Sequence, residues 1–136
     1  SNCKTIAICN QKGGVGKTTT AINLSACLAE AEKRVLTIDM DPQGNTTSGL
    51  GLDKNDVPLT IYDVFLGEAT IAEVKQPTCM EGLEVIPANI NLTGAEIELI
   101  GNDRREYILQ EAKKERRDGR RDDMTVLAGR FWQKQA

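Results

Sequence analysis

The chain has 136 residues, 40% of them apolar and 27% charged, and a formal net charge of −3. These values are ordinary for a single soluble globular domain, and they exclude nucleic-acid binding through overall charge, so that such binding would need a local basic patch. No stretch reaches the ~18 apolar residues of a membrane span and the amino terminus lacks a signal-peptide pattern, so we expect a cytoplasmic protein without a membrane partner.

The first predicted elements are a strand, a glycine-rich loop, a helix and a second strand. Residues 5 to 9 form a short, continuous apolar run, which is typical of a strand covered on both faces of a parallel sheet. Ala21, Leu24 and Leu28 recur at helical spacing within residues 17 to 31. A second apolar run follows at residues 34 to 38, and this order predicts a right-handed βαβ unit.

The following residues predict smaller elements. Residues 42 to 58 are rich in Gly, Asn, Thr and Ser, so we expect a surface loop with at most one turn of helix. Residues 61 to 66 and 71 to 74 are short amphipathic pieces, and residues 83 to 87 indicate a third strand. Two further helices are predicted, and they cover residues 92 to 100 and 105 to 117.

Four cysteines, Cys3, Cys9, Cys27 and Cys79, have no C-x-x-C spacing, and the chain contains no histidine. This composition favours reduced, mostly buried cysteines over a zinc, cluster or redox site. Without histidine, hydrolytic chemistry would have to depend on carboxylates and lysines.

The loop NQKGGVGKTTT at residues 10 to 20 joins the first strand to the first helix. Backbone N–H groups converge at such a loop, at the positive end of the helix dipole, and polyphosphate is their natural ligand. Lys17 can reach the β- and γ-phosphates, the Thr18 hydroxyl can bind Mg²⁺, and Thr19 is placed for the α-phosphate. A G-x-G-x-x-G dinucleotide loop does not fit, and a bare βα turn is the alternative. The candidate nucleotide-binding residues are Gly13, Gly14, Val15, Gly16, Lys17, Thr18 and Thr19.

The sequence KGGVGKTT at residues 12 to 19 is similar to the deviant Walker A motif of the ParA/MinD group of P-loop ATPases, which has a second, earlier lysine. The sequences DMDPQGNTTSGLG at residues 39 to 51 and INLTGAEIELI at residues 90 to 100 resemble the ParA/Soj partitioning branch. The resemblance covers residues 4 to 115. It implies an α/β fold with a P-loop NTPase-like parallel sheet and helices on both faces, and an ATP- and Mg²⁺-binding hydrolase of chromosome or plasmid partition.

The resemblance also implies roles for single residues. Lys12 would reach across a nucleotide-sandwiched homodimer and neutralise charge on the partner's phosphates, as an arginine finger does elsewhere. Asp41 would orient the attacking water, and Asp39 would lie near the Mg²⁺ ion together with Thr18. The alternative for both aspartates is that they cap the loop before Pro42. A plain turn is likewise the alternative to a nucleotide-sensing switch at residues 43 to 45.

The resemblance further implies a ParB-like partner, nucleoid association and, in full-length family members, binding to non-specific DNA. The basic stretch at residues 113 to 121 is the candidate DNA patch in this chain. It is interleaved with Glu115 and Asp118, a pattern that favours a solvated helix face over DNA contact.

The chain departs from the family pattern after residue 115. There the family has an apolar Walker B strand that ends in an aspartate, whereas this chain has RRDGRRDDMTVLAGRFWQKQA. We therefore expect a domain at residues 1 to 115, truncated before the Walker B strand, with an atypical charged tail at residues 116 to 136 that is frame-shifted or disordered. Only residues 124 to 128 of this tail are apolar enough for a strand, and no aspartate follows them. The neighbouring central strand would then have unpaired backbone groups.

Two functions stay open on these observations. One is a weakly hydrolysing partition ATPase that dimerises with ATP. The other is a truncated, non-catalytic nucleotide-binding fragment without activity of its own.

A smaller departure from the family pattern is Glu32, which stands where the family has a helix-ending glycine. A left-handed residue is expected there at a cost of about 1 kcal/mol.

Overall fold

The computed structural model describes residues 4–8, 16–41, 43–89, 102–115 and 123–128. The strands in these ranges are β1 (Lys4–Ile8), β2 (Arg34–Asp39), β3 (Gln76–Pro77), β4 (Leu83–Ile86) and β5 (Asp123–Ala128). The helices are α1 (Lys17–Glu30), α2 (Asn45–Gly49), α3 (Ile61–Phe65), α4 (Ile71–Val74) and α5 (Asn102–Glu115).

These strands form one sheet in the order β1-β5-β2-β4-β3. The first four strands of that order run parallel, and β3 pairs antiparallel with β4 at the edge. The α/β fold class is therefore confirmed. The strands and helices predicted within the described ranges lie within three residues of their expected bounds, and β3 was not predicted. The helix predicted over residues 92 to 100 lies outside the described residues.

Strand β5 is an inner strand of the sheet and lies between β1 and β2. It pairs in parallel with β1, where Ile6 lies opposite Val126, and with β2, where Thr37 lies opposite the same Val126. All six of its residues are buried. The strand before the glycine loop, β1, was expected to have unpaired backbone groups on this side. That expectation is wrong, because a segment of the predicted tail forms β5 and pairs with β1. An apolar run suits this position because both faces of an inner parallel strand are covered.

Helices cover both faces of the sheet, as predicted. Neighbouring residues of β2 point to opposite faces, so Val35 and Leu36 belong to different core clusters. The Leu36 cluster contains residues of α3, α4 and α5, and the Val35 cluster is packed against apolar residues of α1. On the α1 side, the hydroxyls of Ser25 and Thr37 share a buried hydrogen bond of 2.7 Å, which fixes the helix on the sheet.

A left-handed residue, Glu32, follows the end of helix α1. Glu32 has a φ of 64°, which confirms the expectation at the position of the family's glycine. The N–H of Glu32 donates to the carbonyl of Ala29 and that of Lys33 to Leu28, both at 3.0 Å. These two bonds form a Schellman motif, which satisfies carbonyls that a helix end otherwise leaves free.

The prediction of mostly buried cysteines is wrong for the two cysteines that the structure describes. Cys27 on α1 and Cys79 in the turn before β4 are both free and exposed. Cys27 lies on the solvent side of α1. A small apolar residue can stand on either side of an amphipathic helix, so its type alone did not predict its exposure. Cys3 and Cys9 lie outside the described residues. No helix in the described ranges combines the length and apolar character needed to cross a bilayer.

A partly buried ion pair joins the amino ends of β2 and β5. The Arg34 guanidinium donates from Nε to Asp123 Oδ1 at 2.7 Å and from Nη2 to Oδ2 at 3.0 Å. Asp123 is completely buried, whereas the Arg34 side chain is 31% exposed. Because Arg34 and Asp123 are also opposite each other in the β2–β5 register, this bidentate pair specifies how β5 enters the sheet.

Replacing Arg34 by methionine should therefore weaken the fold. We expect Arg34→Met to lower the free energy of unfolding by about 2–4 kcal/mol, because a buried carboxylate loses both guanidinium donors. Urea unfolding followed by circular dichroism measures this loss. The control is Lys75→Met, which removes a partly exposed pair with Glu84 at 3.7 Å and should cost less than about 1 kcal/mol. Equal losses in the two variants would contradict the role given to Arg34.

Candidate functional site

The candidate site lies at the carboxyl edge of the parallel strands, where α1 begins. Gly16 precedes α1 with a left-handed φ of 90°, and its carbonyl accepts the N–H of Thr20 at 2.9 Å. A β-carbon at Gly16 would meet no atom within 4 Å, so the backbone angle rather than crowding requires glycine here. Thr18 is half-buried and Thr19 exposed in the first turn of α1, which carries no acidic residue. This helix end suits an anion.

Several of the predicted site residues lie outside the described residues. These are Lys12, Gly13, Gly14 and Val15. Lys17 is the first residue of α1, but its side chain is not among the described parts. The roles of these residues stay predictions from the sequence.

Asp39 is the last residue of β2, and its side chain is completely buried. Its Oδ1 accepts the N–H of Asp41 at 2.9 Å. Its Oδ2 accepts both the N–H of Thr47 at 2.8 Å and the hydroxyl of Thr47 at 2.6 Å. Burial raises the pKa of Asp39 from 3.8 to about 6, although these hydrogen bonds oppose the rise, and the nearby Asp41 charge adds a little to it.

Thr47 connects this carboxylate to the end of β4. The N–H of Ala88 donates to the Thr47 hydroxyl oxygen at 3.0 Å, so one hydroxyl donates to Asp39 and accepts from Ala88. Sequence reasoning missed Thr47. It stands in a run of short polar residues with no apolar period, so its complete burial leaves no signal in the sequence.

Asp41 organises the turn that follows β2. Its Oδ1 accepts the N–H of Gln43 at 3.0 Å, the side-chain amide of Asn45 lies 3.5 Å from Oδ2, and its carbonyl accepts the N–H of Gly44 at 2.9 Å. The Lys54 ammonium donates to the carbonyl of Gln43. Asp41 is half-buried, so its carboxylate makes loop-capping bonds and also remains accessible to solvent. The loop-capping interpretation of the two aspartates is compatible with these bonds and does not exclude the functional one.

Gly44 allows this turn to approach the end of β4 closely. It has a left-handed φ of 65°, and a β-carbon there would lie 2.5 Å from the carbonyl oxygen of Ala88. Both the angle and the contact require glycine. The segment at residues 43 to 45, predicted as a switch or a turn, is therefore packed directly against the residue that also bonds Thr47.

Strand β5 brings no carboxylate to this edge in the described part of the chain. In its parallel register, Ala128 lies opposite Asp39, and the Ala128 carbonyl accepts the N–H of Met40 at 2.7 Å. Asp123 lies at the opposite end of the same strand. The position next to Asp39 is thus taken by a buried methyl group.

The oxygen atoms at this edge bear on the Mg²⁺ ion that the resemblance implies. Mg²⁺ commonly keeps several waters and takes one or two carboxylates together with nucleotide phosphates. Asp39 Oδ1 receives one hydrogen bond, so it keeps acceptor capacity, and the Thr18 hydroxyl stands at the start of α1. Within the described ranges no group of three or more His, Cys, Asp or Glu could hold a metal ion by itself. These residues fit an ion that is held largely by phosphate and water.

The family to which the chain belongs is decided by residues 3–119, which match the family model described as an AAA domain. The chain belongs to the ParA/Soj-type group of the AAA domain family. It is 56% identical over 109 residues to the sporulation initiation inhibitor protein Soj of Bacillus subtilis, covering 80% of this chain and 43% of that protein. It is 55% identical over 107 residues to the chromosome partitioning protein ParA of Myxococcus xanthus, covering 79% of this chain and 38% of ParA.

A solved structure supports the same fold. The cobyrinic acid a,c-diamide synthase of Mycobacterium smegmatis, solved with a bound ATP analogue and magnesium, superposes with a TM-score of 0.78 at 39% identity. The match covers 92% of this chain and 50% of the synthase. The P-loop NTPase-like fold that the resemblance implied is therefore confirmed. The chain spans about two-fifths of the length of the family members Soj and ParA.

The raised pKa of Asp39 predicts a pH dependence of stability. The folded state holds this proton more tightly than the unfolded chain, so the stabilising contribution is complete below about pH 4 and is lost as the pH rises through about 6. The loss should approach about 3 kcal/mol, since each pKa unit corresponds to about 1.4 kcal/mol.

The variant Asp39→Asn should lack this dependence. Between pH 4 and 6.5, we expect the unfolding free energy of the wild type to fall relative to that of Asp39→Asn. Urea unfolding at several pH values measures this difference. If the two curves run parallel over this range, the raised pKa is contradicted.

Proposed function

We propose that this chain binds ATP with Mg²⁺ through the loop at residues 12 to 19 and acts as a partition protein of the ParA/Soj type. The proposal is carried by one observation: the deviant Walker A sequence of this chain leads into α1 through a left-handed glycine, Gly16. The 56% identity to Soj supports the ParA/Soj type. The ATP analogue and magnesium in the M. smegmatis synthase, which has the same fold, support this choice of ligand.

The roles of the loop residues follow from the position of α1. Backbone N–H groups of Gly13, Gly14, Val15 and Gly16 would surround the phosphates at the positive end of the helix dipole. Lys17 would neutralise the β- and γ-phosphates, and Thr19 would contact the α-phosphate. The Thr18 hydroxyl and the Asp39 carboxylate would hold Mg²⁺ or its waters, which supplies charge neutralisation at the phosphates.

Hydrolysis would need two further residues. Lys12 would act on the nucleotide of a second copy of the chain, so that ATP-dependent dimerisation and turnover are coupled. Asp41 would orient the attacking water, and its half-exposed carboxylate beside the end of β2 is compatible with that role. In this proposal the dimer acts in chromosome or plasmid segregation in the cytoplasm, together with a ParB-like partner and non-specific DNA.

A second function, nucleotide binding without hydrolysis, is favoured by the end of β5. Strand β5 ends opposite Asp39 with Ala128 rather than with an acidic residue. The carboxylate of Asp39, at the end of β2, is already bonded by Asp41 and Thr47. Mg²⁺ would be held more weakly than by two carboxylates, which would slow phosphoryl transfer more than it weakens nucleotide binding.

Nucleotide binding should be visible as thermal stabilisation. At 100 times the dissociation constant, Mg-ATP should add about 2.7 kcal/mol to the free energy of unfolding and raise Tm by several degrees. Lys17→Ala should abolish this rise, because the phosphates lose their lysine. Lys114→Ala, at an exposed position of α5, is the matched control and should keep it. Differential scanning fluorimetry decides the question, and an intact wild-type chain without a shift would rule out both functions.

The two functions differ in their turnover. For the partition ATPase, we expect phosphate release per chain to rise with protein concentration in wild type and to stay flat in Lys12→Ala, while both proteins bind Mg-ATP equally. A lysine supplied by a second copy acts only in the dimer, which is the reason for this difference. Wild-type binding without any release at high concentration would favour the non-hydrolytic function. Loss of binding in Lys12→Ala would contradict action on the partner's nucleotide.

A further inference from the structure

Thr47 of helix α2 is bonded to the candidate site through both its backbone and its side chain. Thr47 gives two donors, its N–H and its hydroxyl, to Asp39 Oδ2, and its hydroxyl oxygen accepts the N–H of Ala88. Thr47 and Asp39 are both completely buried. A buried hydroxyl that both donates and accepts fixes the positions of its two partners relative to each other.

These bonds leave the two oxygens of Asp39 unequal. A carboxylate has about four acceptor positions, two on each oxygen. Oδ2 is filled by Thr47, whereas Oδ1 receives the N–H of Asp41 and keeps one position. Thr47 therefore determines which oxygen of Asp39 holds the backbone at Asp41 and which acceptor position stays available.

Two glycines allow α2 and the residue before it to approach neighbouring elements closely. A β-carbon on Gly49 would collide with the Ile22 side chain of α1, and one on Gly44 would collide with the Ala88 carbonyl. The short helix is thus in close contact with the helix that follows the glycine loop and with the residue after β4. Thr47 lies between these two contacts and is bonded to the end of β2.

We propose that Thr47 is a positioning residue that orients the Asp39 carboxylate, and through it the backbone of Asp41, for binding of Mg-nucleotide. The part concerning nucleotide rests on the proposed function. The part concerning Asp41 depends only on the bonds described above. Loss of the Thr47 hydroxyl would let the carboxylate rotate, which would weaken its bond to the Asp41 amide and misplace the acceptor position on Oδ1.

The first experiment measures amide hydrogen exchange at Asp41 in the protein without ligand. This amide is bonded to Asp39 and not to Thr47, so it reports on the orientation of the carboxylate. We expect Thr47→Val to speed its exchange at least tenfold relative to the Val126 amide, which reports global unfolding because its strand is paired on both sides. Thr47→Ser retains the hydroxyl and should stay within threefold of wild type. Thr46→Val, an equally buried position of the same helix, should leave the Asp41 amide unchanged.

The second experiment measures ADP affinity by calorimetry, with Mg²⁺ and with EDTA. The tightening of ADP binding by Mg²⁺ should fall at least fivefold in Thr47→Val and be retained in Thr47→Ser, while affinity in EDTA changes less than twofold. If the wild type binds ADP, a Mg²⁺ effect that is unchanged in Thr47→Val, or equal in Thr47→Val and Thr47→Ser, would overturn the nucleotide part of the proposal. Equal exchange of the Asp41 amide in the two variants would overturn the whole proposal. A wild-type chain that binds no ADP would contradict the proposed function, and the exchange at Asp41 would still decide the positioning role.

Discussion

The parallel pairing of β5 between β1 and β2 is the constraint on which the remaining structure depends. Among the described strands, β1 pairs with β5 alone, so β5 attaches the strand before the glycine loop to the sheet. Backbone groups that are buried without partners cost free energy comparable to a lost hydrogen bond. Five consecutive register positions with β1 and six with β2 avoid that cost, and they hold the carboxyl ends of β1 and β2 at the same edge of the sheet.

The candidate site combines this rigid frame with one costly charge. Asp39 ends a completely buried strand segment, and its carboxylate is stabilised by three donors from Asp41 and Thr47 instead of by water. Those donors offset only part of the desolvation, which is why its pKa remains high. A cation close to Asp39 would relieve the remaining cost. The same residue therefore stabilises the loop through its hydrogen bonds and leaves a site that favours positive charge.

The elements that were predicted from the sequence are those with a local signal. The apolar runs before and after α1 indicate strands, the helical spacing of Ala21 and Leu24 indicates α1, and the family pattern at Glu32 indicates the end of that helix. The family and the P-loop-like fold also follow from short motifs.

The features that were missed depend on contacts between distant parts of the chain. The apolar run at residues 124 to 128 was recognised, but its partners were not, because strand pairing is decided by tertiary packing. Thr47 is buried through Asp39 and Ala88, which lie 8 and 41 residues away. Strand β3 has two residues, one of them proline, and carries almost no strand signal. The roles of Lys12 and of the glycines before Gly16 stay predictions.

The position of β5 also bears on how the protein acquires its shape during synthesis. β1 leaves the ribosome first of the described strands and β5 last, yet the two are neighbours in the sheet. β1 must therefore wait for more than a hundred residues before its partner is available, and closing so long a loop is entropically costly and slow. Helix α1 follows β1 in the chain, so its first turn should be among the last described parts of the domain to take its place beside the sheet. A ligand that binds at that turn would then select chains in which β5 has already joined the sheet.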